Sequence, residues 1–350
     1  MKLLILYEEL AGYIISCVNH LVKQNGVEVY IIRKQVNAQA PFEFNEPILA
    51  TLYDRKDYTE IEIINLIEGI HADIILCCGW GFKPYLKVCK KLHPKTPILL
   101  GFDNPWQNSL KQNLAAIYFK IVLKKYFSAC FVPGIKQKKF GLKLGFNSSD
   151  IFTGIYSCDT DLFGALHKKY LPKKQENFPH KFIFVGRYIE SKGILDLWTA
   201  FEKLQIEMPN NWELWCLGAG EIEPIKHPKI FHFGFVQPNK MEEFIANTGV
   251  FVLPSHSEPW GVVVHEFASA GFPIICSDKV GASEIFVSEN SNGYIFESTN
   301  IDDLVKYLKK IVRTSDADLF EMGKKSFLNS KKINLESWCK TILEMEQKFS

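Results

Sequence analysis

Short runs of consecutive apolar residues recur along the chain, each followed by a turn or an amphipathic stretch. The first, LLILY at residues 3–7, shows no alternation with polar residues, which is typical of a strand buried on both faces of a parallel sheet. Residues 13–24 then carry apolar side chains at helical spacing and end at an Asn-Gly pair before another apolar run, VEVYIIR. This pattern predicts a β-α-β unit.

The same pattern continues through the chain and predicts two α/β domains. Its further strand candidates are ADIILCC, PILLGF, ACFVP, KFIFVGR, WELWCLG, FHFGF, VFVLP and FPIICS. Residues 147–179 are rich in turn residues and predict an irregular connection between the domains. We therefore expect an N-terminal domain at 1–155, a C-terminal domain at 156–334, and an amphipathic helix at about 335–350 that packs back on the first. Two domains in 350 residues imply a cleft between them.

Composition and charge exclude several classes of protein. The 47% hydrophobic and 23% charged residues are typical of a globular chain, and a net charge of +2 gives no indication of nucleic-acid binding. None of the nine cysteines forms a C-x2-C pair, so we expect reduced core residues rather than a zinc site. The N-terminus does not resemble a signal peptide, and no apolar run is long enough to span a bilayer. A cytoplasmic protein is the default expectation.

One stretch concentrates basic residues, from Lys120 to Lys143. Lysines alternate there with Phe, Tyr, Leu and Ile, as in a surface that contacts anionic lipid. The alternative is a solvated helix face beside a buried strand. Peripheral contact with the inner face of a membrane is therefore one of two open interpretations.

The strongest chemical signal follows the apolar run VFVLP, where Glu258 and Glu266 are separated by seven residues. Ligands of open parallel sheets bind outside the carboxyl ends of strands, which is where Glu258 is expected. Residues 259–261 predict a turn into a helix that begins near Val262, and the unbonded N–H groups of a first helical turn bind anions. A carboxylate at Glu266 can accept hydrogen bonds from both hydroxyls of a ribose. Spacing alone would equally fit a charged helix face.

The neighbouring residues decide between these interpretations, because the segment resembles the E-x7-E motif of retaining glycosyltransferases of family 4. The matching residues are Glu258-Pro259-Trp260-Gly261, Glu266, Ala270-Gly271, Pro273 and Gly281. The run FIFVGR with Ser191-Lys192-Gly193 resembles the G-R…K-G element of the family, and WCLGAGEIE and HFGFV match further landmarks. The resemblance covers residues 182–310.

This resemblance implies a GT-B fold, with two Rossmann-like domains whose parallel sheets face each other across a cleft, and transfer of a sugar with retention and without a metal. Glu258 would hold the hydroxyls of the donor sugar, while Arg187 and Lys192 would bind the diphosphate. The other implied donor-binding residues are Gly186, Phe235 near the nucleobase, Trp260, Gly261, Val262 and Val263 with their N–H groups, and Glu266 at the ribose.

A competing metal signal is Asp159-Thr160-Asp161, which has the D-x-D form used by metal-dependent glycosyltransferases. Three residues make a weak motif, and the surrounding GIYSCDTDLF resembles the N-G-V-D…F stretch of family 4. We therefore expect no metal site.

The N-terminal half departs from the family pattern. Where relatives carry a Gly-Gly pair after the first strand, only Gly12 remains as a candidate for contact with the donor. Where many relatives have a histidine, this chain has Asp103, which could orient or deprotonate an acceptor hydroxyl or could cap a turn. The first domain is expected to bind the acceptor.

The resulting hypothesis is a glycosyltransferase that uses UDP-, GDP- or another nucleotide sugar. Its acceptor would be a glycan or lipid-linked glycan of bacterial surface polysaccharide or glycolipid synthesis. An epimerase or hydrolase on the same scaffold, or an inactive module that binds nucleotide sugars, are the alternatives.

Overall fold

The chain forms two α/β units, each built on a parallel sheet. A computed structural model describes residues 1–8, 10–34 and 47–350. The first unit comprises Met1–Ser157 and Ile333–Ser350, and the second comprises Cys158–Lys332. The predicted α/β class with two parallel sheets is confirmed.

The first sheet has seven strands, in the order β3-β2-β1-β4-β5-β6-β7. The strands are β1 Lys2–Tyr7, β2 Glu28–Arg33, β3 Thr51–Asp54, β4 Ile74–Cys78, β5 Ile98–Gly101, β6 Ala129–Val132 and β7 Ile151–Thr153. The central strand β1 pairs in parallel on both sides, with Leu3 opposite Val29 and Ile74. Its apolar residues are buried on both faces of the sheet, which explains the absence of polar alternation in the sequence.

Five α-helices lie between these strands in the described part of the first unit. They are α1 Gly12–Asn25, α2 Glu60–Ile70, α3 Lys83–Leu92, α4 Leu110–Tyr118 and α5 Ile135–Lys143. The ends of α1 and α2 follow local sequence signals: Gly26 closes α1 in a left-handed conformation with φ 61°, and Thr59 and Glu62 form a capping box at the start of α2. Helix α4 continues as a π-helical turn over Phe119–Leu123.

The second sheet has six strands in the order β10-β9-β8-β11-β12-β13. They are β8 Lys181–Val185, β9 Glu213–Leu217, β10 Ile230–His232, β11 Val250–Leu253, β12 Ile274–Ser277 and β13 Gly293–Phe296. The direction in which successive strands are added reverses between β8 and β11. In open α/β sheets, this switch point is where ligands bind.

Seven helices belong to the second unit: α6 Thr160–Glu176, α7 Ile194–Glu207, α8 Glu242–Asn247, α9 Val262–Ser269, α10 Ser283–Phe286, α11 Ile301–Arg313 and α12 Asp316–Ser330. The predicted irregular connection at 147–179 was wrong. That stretch contains β7 and the 17-residue helix α6, whose first turn is capped by Asp159. Pro172 inside the helix and a high lysine content hide its periodicity in the sequence.

The C-terminal helix α13, Leu335–Phe349, packs on the first unit. Its indole donor, Trp338 Nε1, bonds to the carbonyl oxygen of Ile155 at 2.9 Å. Ile342 and Met345 are fully buried in the same apolar cluster as β1 and α1. The amphipathic pattern of residues 335–350 thus marks one buried face.

All nine cysteines lie in described segments, and none forms a disulfide. Eight of them are buried and Cys78 is partly buried, as expected of core residues. Within residues 1–8, 10–34 and 47–350, no helix has the length and apolar character needed to cross a membrane.

Candidate active site

Most of the predicted donor-binding residues lie at the carboxyl edge of the second sheet. Arg187 and Lys192 follow β8, and Glu258 follows β11, the two neighbouring strands at the switch point. Phe235 follows the edge strand β10. The loops after three different strands therefore supply the candidate site.

Lys192 and Glu258 are in direct contact, although 66 residues separate them in the chain. The Lys192 ammonium group donates a hydrogen bond to a Glu258 carboxylate oxygen, and both side chains are largely buried. Backbone bonds hold the two loops together, since the Ser191 carbonyl accepts from the N–H groups of His256 at 2.9 Å and Ser257 at 3.3 Å. The cation and the carboxylate are thus held in one place before any ligand binds.

Gly193 makes this close approach of the two loops sterically feasible. It adopts φ 66°, and a Cβ there would lie 2.1 Å from the carbonyl oxygen of Pro254. Beside it, His256 Nε2 lies 2.7 Å from a carboxylate oxygen of Asp196 in the first turn of α7. The glycine after Lys192 therefore serves the packing of the loop.

The segment from Glu258 to α9 is anchored through its backbone. The carbonyl of Glu258 accepts from Gly281 N–H at 3.0 Å, and the carbonyl of Trp260 accepts from Ala282 N–H at 2.8 Å. The Trp260 ring is only 2% exposed and packs against Phe286. Trp260 can therefore contribute backbone groups to a ligand, whereas its ring belongs to the core.

The N-terminus of α9 begins beside Glu258. Gly261 precedes the helix in a left-handed conformation with φ 90°, and it offers no side chain to cap the first turn. Val262 and Val263 open the helix and are partly exposed. Their N–H groups, together with the positive end of the helix dipole, suit a phosphate or sugar oxygen.

Glu266 lies on α9 and has an unusual proton affinity. Burial and, to a smaller extent, the nearby Asp159 carboxylate raise its pKa from 4.5 to about 7. The neighbouring His265 is fully buried, with Nδ1 accepting from Cys158 N–H at 3.1 Å and Nε2 bonded to the Ser330 carbonyl at 3.0 Å. His265 thus has a structural role in the core. Glu266, by contrast, changes its protonation state near neutral pH.

The D-x-D triplet lies at the start of α6. A side-chain oxygen of Asp159 accepts from Leu162 N–H at 2.9 Å and so caps the helix, and Asp161 lies in its first turn. Within the described part of the chain, no three His, Cys, Asp or Glu residues are grouped so that they could hold a metal ion.

Arg187 lies between two residues whose backbones are bonded to the loop after β9. Gly186 N–H bonds to the Leu217 carbonyl at 3.0 Å, and Tyr188 N–H bonds to the Ala219 carbonyl at 3.0 Å. These bonds fix the backbone from which the partly buried Arg187 side chain extends. Gly186 therefore helps to position the backbone of Arg187.

Phe235 belongs to a loop that is tied back to the same region. The Gly218 N–H bonds to the Gly234 carbonyl at 2.7 Å, which joins the loops after β9 and β10. Phe235 is partly buried. The position of Phe235 near the nucleobase stays a prediction.

In the first unit, Gly12 begins α1 after the loop that follows β1, and a Cβ at this position would meet no described atom within 4 Å. Glu9 of this loop lies outside the described residues. Asp103 follows β5, and its carbonyl accepts from Gln137 Nε2 at 2.8 Å. Both residues lie at the carboxyl edge of the first sheet, where β1 and β5 end.

Sequence analysis missed a tyrosine cluster at this edge. The rings of Tyr13 and Tyr156 meet edge to face with centroids 5.5 Å apart. The Tyr7 side chain forms hydrogen bonds with the side chains of Tyr13 and Tyr156. Burial raises the pKa of Tyr7 and Tyr156, and the Asp103 carboxylate raises that of Tyr156 further. Because Tyr156 and Asp103 are far from Tyr7 and Tyr13 in the sequence, only the fold reveals that these residues adjoin.

The second unit matches a family model. Residues 167–325, which include Arg187, Lys192, Glu258 and Glu266, match the model described as Glycosyl transferases group 1. The match begins at residue 167, so it does not include strands β1 to β7 or helices α1 to α5 of the first unit.

Individual relatives extend this similarity. The chain is 30% identical to an uncharacterized glycosyltransferase of Methanocaldococcus jannaschii over 33% of this chain and 31% of that protein. It is 28% identical to the capsular polysaccharide biosynthesis glycosyltransferase CapM of Staphylococcus aureus, over 48% and 45% of the two chains. An uncharacterized glycosyltransferase of Haemophilus influenzae is 28% identical over 73% of this chain and 78% of its own length. The chain thus spans less than half the length of the first two relatives.

Solved structures resemble the whole chain. A glycosyltransferase from Rickettsia africae superposes with a TM-score of 0.73 at 16% identity, covering 99% of this chain and 98% of that one. The Anabaena protein HepE in complex with UDP superposes with a TM-score of 0.74 at 12% identity, covering 99% and 100%. At these identities the likeness shows the fold, which is GT-B with two Rossmann-like units.

Proposed function

We propose that this protein is a retaining glycosyltransferase that moves a sugar from a nucleotide-sugar donor to an acceptor hydroxyl. The family-model match supports the general class, and the HepE complex with UDP supports a nucleotide-sugar donor. The similarity to CapM supports an acceptor in polysaccharide synthesis.

The observation that carries the proposal is the contact between Lys192 and Glu258 at the switch point of the second sheet. A nucleotide sugar presents sugar hydroxyls beside a diphosphate. A carboxylate that accepts hydrogen bonds and an adjacent cation that neutralises phosphate match these two groups. Their mutual contact also keeps a largely buried charge pair compensated until the donor arrives.

Each of the remaining predicted residues has a place in this scheme. Arg187 joins Lys192 at the diphosphate, the N–H groups of Val262 and Val263 bind sugar or phosphate oxygens, and ionised Glu266 accepts from the ribose hydroxyls. Gly186 and Gly261 position these groups through the backbone, and Phe235 lies against the nucleobase.

During transfer, the bond between the anomeric carbon and the diphosphate oxygen breaks, and its electron pair stays on that oxygen. The acceptor oxygen bonds to the same face of the anomeric carbon and loses its proton. Because negative charge accumulates on the leaving diphosphate, Lys192 and Arg187 lower the barrier without a metal ion. The first unit is proposed to bind the acceptor, with Asp103 orienting or deprotonating its hydroxyl. Gly12 of the same unit is proposed to contact the donor.

The test is product analysis with a panel of UDP- and GDP-sugars and glycan acceptors, in the presence and absence of excess chelator. We expect a glycoside with the anomeric configuration of the donor and unchanged turnover in chelator, because two fixed cations carry the charge of the leaving group.

Inversion of the anomeric configuration would contradict the retaining assignment. A loss of turnover in chelator that Mn²⁺ restores would contradict metal independence and return attention to Asp159 and Asp161. Release of free sugar or of an epimerised donor without any acceptor would identify a hydrolase or epimerase, and donor binding without turnover would identify an inactive module.

A further inference from the structure

Helix α4 and the π-helical turn after it expose a row of large apolar side chains. Leu110, Leu114, Ile117 and Ile121 recur at intervals of three and four residues, and they are 84%, 69%, 56% and 72% exposed. Tyr118 and Val122 widen the row. Single exposed apolar residues are common, but a continuous stripe on one helical face indicates a binding surface.

The opposite side of the same segment is anchored in the protein. Ala116, Phe119 and Leu123 are buried in the core of the first unit, and Phe119 stacks on Phe127 with ring centroids 5.7 Å apart. The segment therefore has two apolar faces, of which one packs on the sheet and the other points to solvent.

Helix α5 adds a second exposed apolar pair. Ile135 and Leu142 are seven residues apart, which places them on one face of the helix, and both are exposed. Together with the row on α4, this pair is here called the α4–α5 surface, defined by Leu110, Leu114, Ile117, Tyr118, Ile121, Val122, Ile135 and Leu142.

The chain segment that carries this surface contains charges of one sign. Between Asn104 and Ser149 the chain contains eight lysines and no aspartate or glutamate: Lys111, Lys120, Lys124, Lys125, Lys136, Lys138, Lys139 and Lys143. A second copy of this chain would bring equal positive charge against the same surface, which disfavours self-association. Exposed apolar side chains in a segment rich in lysine instead match a bilayer with anionic headgroups.

We propose that the α4–α5 surface docks on the surface of an anionic membrane, with its apolar side chains among the lipid chains and its lysines at the headgroups. This resolves the two interpretations of the stretch from Lys120 to Lys143. Its middle is the buried strand β6, and the lipid-binding surface lies on either side and extends back to Leu110.

The surface adjoins the candidate acceptor region. Helix α4 follows the loop that begins at Asp103, and Gln137 of α5 bonds to the Asp103 carbonyl. If the proposed function holds, membrane docking would bring this region close to a lipid-linked acceptor. Docking itself does not require the proposed function and is measured without substrate.

The test is flotation of the purified protein with vesicles of phosphatidylcholine containing about one third phosphatidylglycerol. The variant Ile117→Glu/Ile121→Glu places two charges in the apolar row. The matched control, Ile61→Glu/Ile206→Glu, changes two side chains of α2 and α7 that are 71% and 80% exposed and are not part of the α4–α5 surface. Both variants change the net charge equally, and thermal melts verify that both are folded.

We expect wild type and control to float at low salt, and the α4 variant to bind about tenfold more weakly or worse. Binding should weaken at high salt and on vesicles of phosphatidylcholine alone, because the lysines contribute to it. Absence of flotation at low salt, or equal binding by the α4 variant and the control, would overturn the proposal. A concentration-dependent dimer that is lost only in the α4 variant would assign the surface to a second copy of the chain instead.

Discussion

Replacing Lys192 by alanine is expected to lower kcat for sugar transfer by about a hundredfold to a thousandfold. Negative charge on the leaving diphosphate is greatest in the transition state, so the loss of this cation should affect kcat more than donor binding. The substitution also removes the cation that pairs with Glu258 and would leave that carboxylate less well oriented toward the sugar. The measurement is steady-state kinetics with the best donor and acceptor.

The matched control is Lys203→Ala. Lys203 lies on α7 of the same unit and forms ion pairs with Asp302 and Glu207 at the surface. Such exposed pairs contribute little to stability, and the control should retain wild-type turnover. A Lys192→Ala enzyme with turnover near that of the control would remove Lys192 from the mechanism.

The second large effect concerns Glu266 and pH. A carboxylate accepts from both ribose hydroxyls only when ionised, and the pKa of Glu266 without ligand is about 7. Donor binding should therefore be tightest above pH 7 and should weaken as the pH falls, reaching about a hundredfold loss two pH units below that pKa. Calorimetric titration with the donor nucleotide across this range measures the effect.

Glu266→Gln should flatten this pH dependence and lower affinity at high pH, because the amide cannot accept as the carboxylate does. Asp159→Asn should move the midpoint of the pH dependence downward, since the Asp159 carboxylate contributes to the raised pKa. Affinity that stays constant with pH in the wild type would contradict the ribose role of Glu266.

Glu266→Gln should also stabilise the fold in the absence of donor. The folded pKa of Glu266 lies above its ordinary value of 4.5, so ionisation costs stability. The cost is absent below about pH 4.5, grows as the pH rises to about 7 and is complete above it, at about 3 kcal/mol. Glu266→Gln should thus raise Tm at pH 8 but not at pH 4, whereas Glu321→Gln on the exposed face of α12 should change neither.

Much of the fold was predictable because its strands are short apolar runs and its helices carry clear end signals. The Asn-Gly pair after α1 and the start of α9 at Val262 were both predicted from local sequence. Helix α6 was missed because Pro172 and its many lysines hide the apolar face. Strand β13, Gly293–Phe296, was missed because its sequence, GYIF, begins with glycine, which is depleted in strands.

The candidate site was predicted residue by residue but not as an arrangement. Sequence analysis assigned Lys192 and Glu258 to one ligand, yet their contact depends on β8 and β11 being neighbours, and strand order is a property of the whole sheet. The raised pKa of Glu266 similarly depends on burial and on Asp159, which comes from a different helix. The predicted cleft between the two domains stays a prediction.

The α4–α5 surface shows a limit of hydrophobic periodicity. An apolar row at intervals of three and four residues predicts a buried helix face, and α4 does carry such a face at Ala116 and Phe119. The second row, from Leu110 to Ile121, has the same sequence signature but is exposed. Only the packing distinguishes an internal contact from a docking surface.

The most direct test of the central claim is a thermal-shift screen of the protein against nucleoside diphosphates and nucleotide sugars at pH 8. A ligand that binds only the folded state raises Tm, by an amount that grows with concentration over Kd. The account predicts that one nucleotide and its sugar conjugate raise the Tm of the wild type, and that Lys192→Ala and Glu266→Ala each reduce this rise. A wild-type Tm that no nucleotide or nucleotide sugar changes would contradict the assignment of Glu258, Lys192 and Glu266 to a donor site.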